Sequence, residues 1–440
     1  MGLLIGMGQT TPQFPYDYYY GVEWDVTVSN TNKTRIGKPQ LHVDLPCQNQ
    51  MRRCIQNDDG TVNYYLHAND STKRDNGAAA NLDGTDGQFM VELPDVYMRF
   101  EMDGSKRRSL MSPQPLPGFI KWSKDYVSAV EATVDRTNSK LAAVVNETAQ
   151  YRGGGNHSAW DELDKSELGM PATEISLTNF RSLARARNSS DTDKRWNCNT
   201  YQIHRKLFWL YTIEYANSNC QLAFNAQLTE DGYHQGGLGS GVTTVSSGDW
   251  NTFNGYHPLV KCGATVSLGN HTGVISYSLP ASFGSGSVSV SVPSYRGVEN
   301  PFGHIWKWTD GALCAIESGA EGLSKFYVCD TPSKFSSSIT SDYEYRGNLP
   351  RSDGYVKSLI LGEYGEIMPL EIGAGSTTYF SDYFYTSIPS SGTSTRGVLF
   401  GGDAHNGAFA GFVFAFTSAS PSSADAAIGS RLCFSAIEAA

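Results

Sequence analysis

The chain has 440 residues, a formal net charge of −10 and a pI near 5.4. That balance excludes nucleic acid as the main partner, because phosphate binding needs clustered Lys and Arg, and the compact basic clusters are confined to Lys106 to Arg108 and Arg181 to Arg187, which read as locally paired surface charge. No stretch approaches the roughly 20 apolar residues of a membrane span, so membrane insertion is not expected.

The length suits two or three domains with a sizeable core. Only 18% of residues are charged, while Gly numbers 45, Tyr 24 and Phe 20. This is a loop-rich, β-rich composition in which aromatic rings do much of the core-filling. The eight cysteines, Cys47, Cys54, Cys198, Cys220, Cys262, Cys314, Cys329 and Cys433, form no CxxC pair and match no zinc spacing. They read as buried, reduced side chains of a protein folded in a reducing compartment.

Residues 1–20 carry Pro12 and Pro15, show no periodicity and have no basic segment of a signal peptide. They read as an extended attachment arm or as a frayed terminus, on a chain not exported by the signal-peptide route. From Val22, apolar residues at 22, 24, 26 and 28 alternate with polar ones, the period of a half-buried strand. Asn57 to Gly60 is a turn before a strand at Val62 to Leu66, and residues 69–87 are a polar loop. Strands follow at Gln88 to Leu93, Val96 to Met102 and Arg107 to Met111, the last two joined by a hairpin turn at Asp103-Gly104. Pro113, Pro115 and Pro117 then break the chain.

Two helices are expected. One runs from Thr178 to Arg187 with Thr178 as N-cap, and a stronger one spans Asn199 to Ala216 with Asn199 or Thr200 as cap. Beyond Asn217 the chain reads as loops and short strands, with Gly and Ser crowding 232–247, 282–291 and 373–376. The fold class expected is therefore α+β, with an extended arm over 1–20, a small β-rich module over 21–170 and a second domain over 171–440.

Three ordered segments carry a resemblance. The first is Phe180-Arg181 with Trp196 to Tyr201 (WNCNTY) and Trp209 to Ala216 (WLYTIEYA). The second is Asn300 to Asp310 (NPFGHIWKWTD). The third is Arg396 to Gly402 (RGVLFGG) closing at Ile428 to Leu432 (IGSRL). Together they resemble the C-type-lectin-like fold of the formylglycine-generating-enzyme type, a family that includes targets of diversity-generating retroelements. Upstream, Gly21 to Asp25, Asp83 to Gly87, Val91 to Pro94, Tyr97, Asp103 to Arg107, Ser112-Pro113 and Pro117-Gly118 resemble the module that precedes such domains in gut Bacteroides-phage fibre proteins.

The resemblance implies a non-enzymatic tail- or head-fibre protein of a virion, assembled in the bacterial cytoplasm. It would be homotrimeric, docked to other virion proteins by its N-terminal arm, and would bind a host surface glycan or protein through the lectin-like domain. It further implies a ligand-facing patch between the third segment's anchors. Within that stretch Phe412, Phe414 and Phe416 alternate and share one face, which reads as core. The ligand-binding positions expected are Asp403, His405, Asn406, Phe409, Thr417, Ser418, Ser420 and Asp425. Rival readings are a structural virion subunit whose lectin-like domain contacts other virion proteins, a formylglycine-generating-type oxidase and a cellular adhesin.

The sequence offers little chemistry beside this. Cys433 lacks the paired-thiol context of the oxidases. Glu299-Asn300-Pro301 has the wrong order for a calcium-lectin loop. His204, His234, His257, His271 and His304 stand alone, without HExxH spacing, and read as structural hydrogen-bonding residues. Glu363, Glu366 and Glu371 could supply a glycosidase-like carboxylate pair but read equally as capping or pairing groups. No catalytic residue, metal or cofactor is expected.

Overall fold

The structure, a computed structural model, describes residues 18–436. The arm expected at 1–20 lies outside the described residues except for its last three, of which Tyr20 opens the first strand. Four α-helices are present among them: α1 (Pro39–Asp44), α2 (Leu177–Arg185), α3 (Tyr201–Tyr215) and α4 (Ser247–Asn254). None is long and apolar enough to cross a membrane.

Three large sheets dominate. The first is antiparallel, in the order Thr34–Gly37, Tyr20–Asp25, Lys106–Ser112, Val96–Asp103, Ile120–Trp122. Its hairpin turns at Asp103-Gly104, with Asp103 opposite Lys106. The strand from Tyr20 stops at Asp25, because the Asp25 carboxylate accepts both the backbone N–H and the hydroxyl of Thr27 and closes a turn there. The second sheet runs Trp196–Cys198, Leu432–Ser435, Asp125–Ser128, Gln88–Leu93, Arg52–Gln56, Val62–His67, Asp70–Arg74. Strands from both sides of residue 170 share this sheet, and one hydrophobic core runs through both parts.

The third sheet orders Glu344–Asn348, Ser324–Val328, Trp306–Glu317, Thr393–Gly401, Gly411–Phe416, Tyr383–Tyr385, Gly354–Leu361 and Glu366–Ile372, with Ile428–Gly429 added beside Trp306. Its first strand comes back against the last two, so the sheet nearly closes into a barrel. Strand accounts for 36% of the chain and helix for 14%. This corrects the α+β, C-type-lectin-like expectation: the fold is mostly β with a barrel-like sheet. Both expected helices form, but they are a minority. The Gly- and Ser-rich second half, read as loops and short strands, holds the longest strands. Gly311 shows why, since it sits at φ 80° inside the 12-residue strand Trp306–Glu317, where the register with Thr393–Gly401 shifts. It is a bulge inside a strand that continues on both sides of it.

The helices are capped as small hydroxyls dictate. Ser176, not Thr178, caps α2 by accepting from Asn179 N, and Thr200 caps α3 by accepting from Ile203 N. All of α3 is buried except Gln202, as expected of a helix at the centre of a domain. Its polar side chains tie it to every surrounding layer. His204 Nε2 donates to Phe412 O at 2.7 Å, Arg205 reaches Glu366 at 2.9 Å and Lys206 reaches Ser123 O at 2.7 Å. Trp209 donates to Gly365 O, and Glu214 takes Arg296 through both oxygens at 2.7 and 2.8 Å. Burial holds the His204 imidazole down at about pKa 4, so it is a neutral donor at physiological pH.

Candidate functional site

The site grows out of strand register on the barrel-like sheet. Tyr383–Tyr385 runs parallel to Gly411–Phe416 with Tyr385 beside Phe416, and antiparallel to Gly354–Leu361 with Tyr355 opposite Tyr383. Side chains alternate along each strand. Phe384 therefore turns inward and is fully buried, while Tyr355, Tyr383, Tyr385, Phe414 and Phe416 gather on the other face. Trp306 joins them, 4.5 Å from Phe414 and 5.6 Å from Phe416 between ring centroids. Phe409, on the short 3₁₀ turn Gly407–Phe409, lays its ring 4.4 Å from Tyr383 and 5.5 Å from Tyr355.

Five of these rings, Tyr355, Tyr383, Tyr385, Phe409 and Phe416, are only half-buried. The hydroxyls of Tyr383 and Tyr385 have no hydrogen-bond partner among the described residues. The result is an apolar platform with two unengaged hydroxyls at its surface. Such a face can stack on an apolar ligand surface while the hydroxyls bind its polar edge.

Asp382 fixes the platform from below. It is buried, and its carboxylate accepts from Val413 N at 2.8 Å, locking the edge of Tyr383–Tyr385 to Gly411–Phe416. Burial pushes its carboxyl well above the usual carboxylate range, against the backbone N–H groups of Val413 and Phe414.

The positions expected from sequence fall into distinct roles. Phe409 is a member of the platform. Asp403 is 5% exposed and organises the rim: Oδ2 accepts from Trp306 Nε1 at 3.1 Å, Oδ1 lies 2.8 Å from His405 Nδ1, and its N–H donates to Asn406 Oδ1 at 2.8 Å. His405 is exposed and Asn406 half-buried, so these two present polar groups. The Asp403 hydrogen bond raises the His405 pKa, against partial burial.

Thr417 is fully buried, and both its N–H and its hydroxyl go to Tyr385 O, so it seats a platform strand and offers nothing to solvent. Ser418 is half-buried just beyond it. Ser420 is spent on a local turn with Ser422 and Ser423. Asp425 is exposed, caps Ala427 N, and gives its carbonyl to Glu174 N, which puts it beside a different cluster.

Sequence reasoning missed Tyr355, Tyr383 and Tyr385. Alternation in Tyr383-Phe384-Tyr385 was the available signal, in a region read only as loops and short strands. It also treated each histidine as solitary. His157, Glu174 and His257 in fact bring ligand atoms within 4.8 Å of one another, the one such group among the described residues. His304 is structural: Nε2 accepts from Leu259 N and Val260 N at 3.0 and 3.1 Å, which leaves Nδ1–H to donate to Glu131.

The eight cysteines are all buried and free. A cleft of about 560 Å³ lies apart from the platform between Trp122, Arg205, Lys206 and Asp330. Its cations are already matched, Arg205 by Glu366 and Lys206 by Ser123 O and Asp125.

No family model and no curated protein matches the chain. Among solved structures, PvdO from Pseudomonas aeruginosa is a distant structural neighbour. It covers 80% of this chain and 95% of its own at 10% identity and a TM-score of 0.35.

Proposed function

We propose that the chain is an attachment protein that binds a host-surface glycan on the platform of Tyr355, Tyr383, Tyr385, Phe409 and Phe416. Its support is the meeting of five half-buried rings, two unengaged tyrosine hydroxyls and the polar rim of His405 and Asn406. A sugar ring has an apolar face that stacks on aromatic rings and an edge of hydroxyls that needs donors and acceptors, and both halves are met here. A single site of this kind binds with modest affinity. Repetition on one particle raises avidity by ~10²–10⁴ without new contacts.

The setting we propose is a virion fibre, homotrimeric and assembled in the host cytoplasm, on the ground that the upstream motifs resemble those of phage fibre proteins. The test is adsorption of purified protein to whole bacteria and to immobilised surface polysaccharide, with Tyr383→Ala and Phe409→Ala beside the parent. The reading expects binding by the parent and at least a ~10-fold loss in each variant, with particle assembly intact. Binding that is absent in the parent, or unchanged by both substitutions, refutes it. Particles that lack the protein when the two residues are changed would instead favour a purely structural virion subunit.

A further inference from the structure

Away from the platform, two imidazoles and a carboxylate converge from two distant parts of the chain, the 153–174 segment and the loop after α4. His157 and His257 meet edge to face with ring centroids 4.9 Å apart. Glu174 Oε1 lies 3.5 Å from His257 Nε2. Behind them sits a fourth residue, Glu167, whose side chain is 2% exposed. Its Oε1 lies 2.9 Å from His157 Nδ1 and 3.2 Å from His257 Nδ1, so one carboxylate oxygen faces the same nitrogen of both rings. Its Oε2 accepts from His157 N, and Oε1 also accepts from Gly155 N. The Glu167 carboxylate holds the His157 ring with Nδ1–H toward it and Nε2 bare, and the same oxygen faces Nδ1 of His257. That is how imidazoles are prepared to ligate a metal. His257 is 5% exposed, and its Nδ1 makes no well-aligned hydrogen bond, so this buried ring is poised by charge and packing.

The surroundings hold this geometry rigidly. Trp160 stacks on His157 at 4.2 Å and meets His257 edge-on at 5.4 Å. Gly154, at φ 45°, lets the loop pass over Glu167, since a Cβ there would lie 2.0 Å from Oε1. The His257 loop is pinned two and three residues on, where Leu259 and Val260 donate to His304. Glu174 itself sits in the left-handed region at φ 56°, with its N–H held by Asp425 O. A non-glycine residue in that conformation is strained and is commonly retained where function requires it. Glu174 is also half-exposed, so the cluster has a side open to solvent.

We propose that His157, His257 and Glu174 bind a divalent first-row transition metal ion, with Glu167 as the shared outer carboxylate. Two imidazole nitrogens and one carboxylate suit zinc, iron(II) or cobalt(II), and the set leaves positions open for water or an added ligand. The ion ties the 153–174 segment to the loop after α4. This inference is independent of the aromatic platform, and either can fail without the other.

The test uses the full chain after chelation and dialysis. Cobalt(II) alone is titrated and read by its visible ligand-field bands, and zinc(II) alone by competition with a chromophoric chelator. The expected result is one equivalent bound, with affinity reduced at least ~100-fold in His157→Ala and in Glu174→Ala, and ~10–100-fold in Glu167→Gln. His157 and Glu174 are partly exposed, so their variants should keep the parent circular dichroism spectrum. Absence of stoichiometric binding in the parent overturns the proposal. So does binding that survives the His157→Ala/Glu174→Ala double substitution, which would mark an adventitious ion only.

Discussion

Replacing Arg181 by leucine isolates the joint between α2 and the barrel-like sheet. Arg181 Nε and Nη2 donate to the two oxygens of Asp310 at 2.6 and 2.7 Å, a two-pronged pair whose side chains are 9% and 1% exposed. Leucine fills much of the volume but leaves the Asp310 carboxylate buried, with Gly311 N at 2.9 Å and the weak Cys198 thiol at 3.9 Å as its remaining donors. Removing one member of a buried, hydrogen-bonded pair costs about 3–5 kcal/mol, chiefly as the penalty of an uncompensated charge. The double variant Arg181→Leu/Asp310→Leu removes that charge and should cost less than Arg181→Leu alone, so the coupling between the two sites exceeds about 2 kcal/mol. Arg181→Lys should fall between, because an ammonium cannot make both parallel bonds. Urea unfolding followed by circular dichroism and tryptophan fluorescence provides the four corners of the cycle. Additive single effects, or an Arg181→Leu cost below about 1 kcal/mol, would refute the reasoning that this pair holds the joint.

Other expectations follow from single environments. The His405 ring proton should titrate above the ordinary 6.5 and move down in Asp403→Asn, as read by NMR. Because the folded pKa is raised, the stabilisation is fully present below about 6.5 and disappears as pH rises through the folded value, so the rim loosens on the alkaline side. Phe412→Ala should cost about 3–5 kcal/mol, since that ring is 1% exposed and packed among His204, Tyr211, Tyr295 and Phe302, while Phe416→Ala at the half-buried end of the same strand should cost clearly less. Native protein should leave an aromatic disulfide reagent essentially unreacted until denaturant is added, because all eight thiols are buried, and burial holds Cys47 and Cys433 up at about 12.

Local signals in the sequence were legible where the chemistry is local. The Asp103-Gly104 hairpin, the Gln88–Leu93 strand and the long helix α3 follow from turn residues and periodicity, and they form close to where the pattern puts them. The motif strings are also explained. Arg181, Asp310 and Arg431 are buried polar anchors, with Arg431 donating to Ser128 O, Glu299 O and Asn300 O. The fold class was not legible. Bulged, Gly-bearing strands look like loops, and sheet order is set by contacts hundreds of residues apart, such as Asp125 opposite Ser435. The same holds for the sites. Phe409 could be found because it flanks an alternating phenylalanine run, but Tyr355 and Tyr383 reach it only through strand register. His157 and His257 share no sequence spacing at all, and only the buried Glu167 makes them a pair.

The platform's position relative to α3 bears on what it can bind. Phe412 of the central strand touches His204 and Tyr211 of α3 and, two residues on, Phe414 supports Trp306 and Tyr385. Trp306 in turn donates to Asp403, which orients His405 and Asn406. Through the backbone of the strand Gly411–Phe416, the rings packed on the buried helix α3 are therefore joined to the rings and hydrogen bonds of the rim. Immobilising a rotamer-rich side chain on binding costs about 0.5–1.5 kcal/mol. Tyrosine and phenylalanine rings already held by this scaffold avoid most of that cost. If the platform binds a glycan as proposed, this preorganisation lets even a weak contact keep enough affinity to be multiplied by repetition.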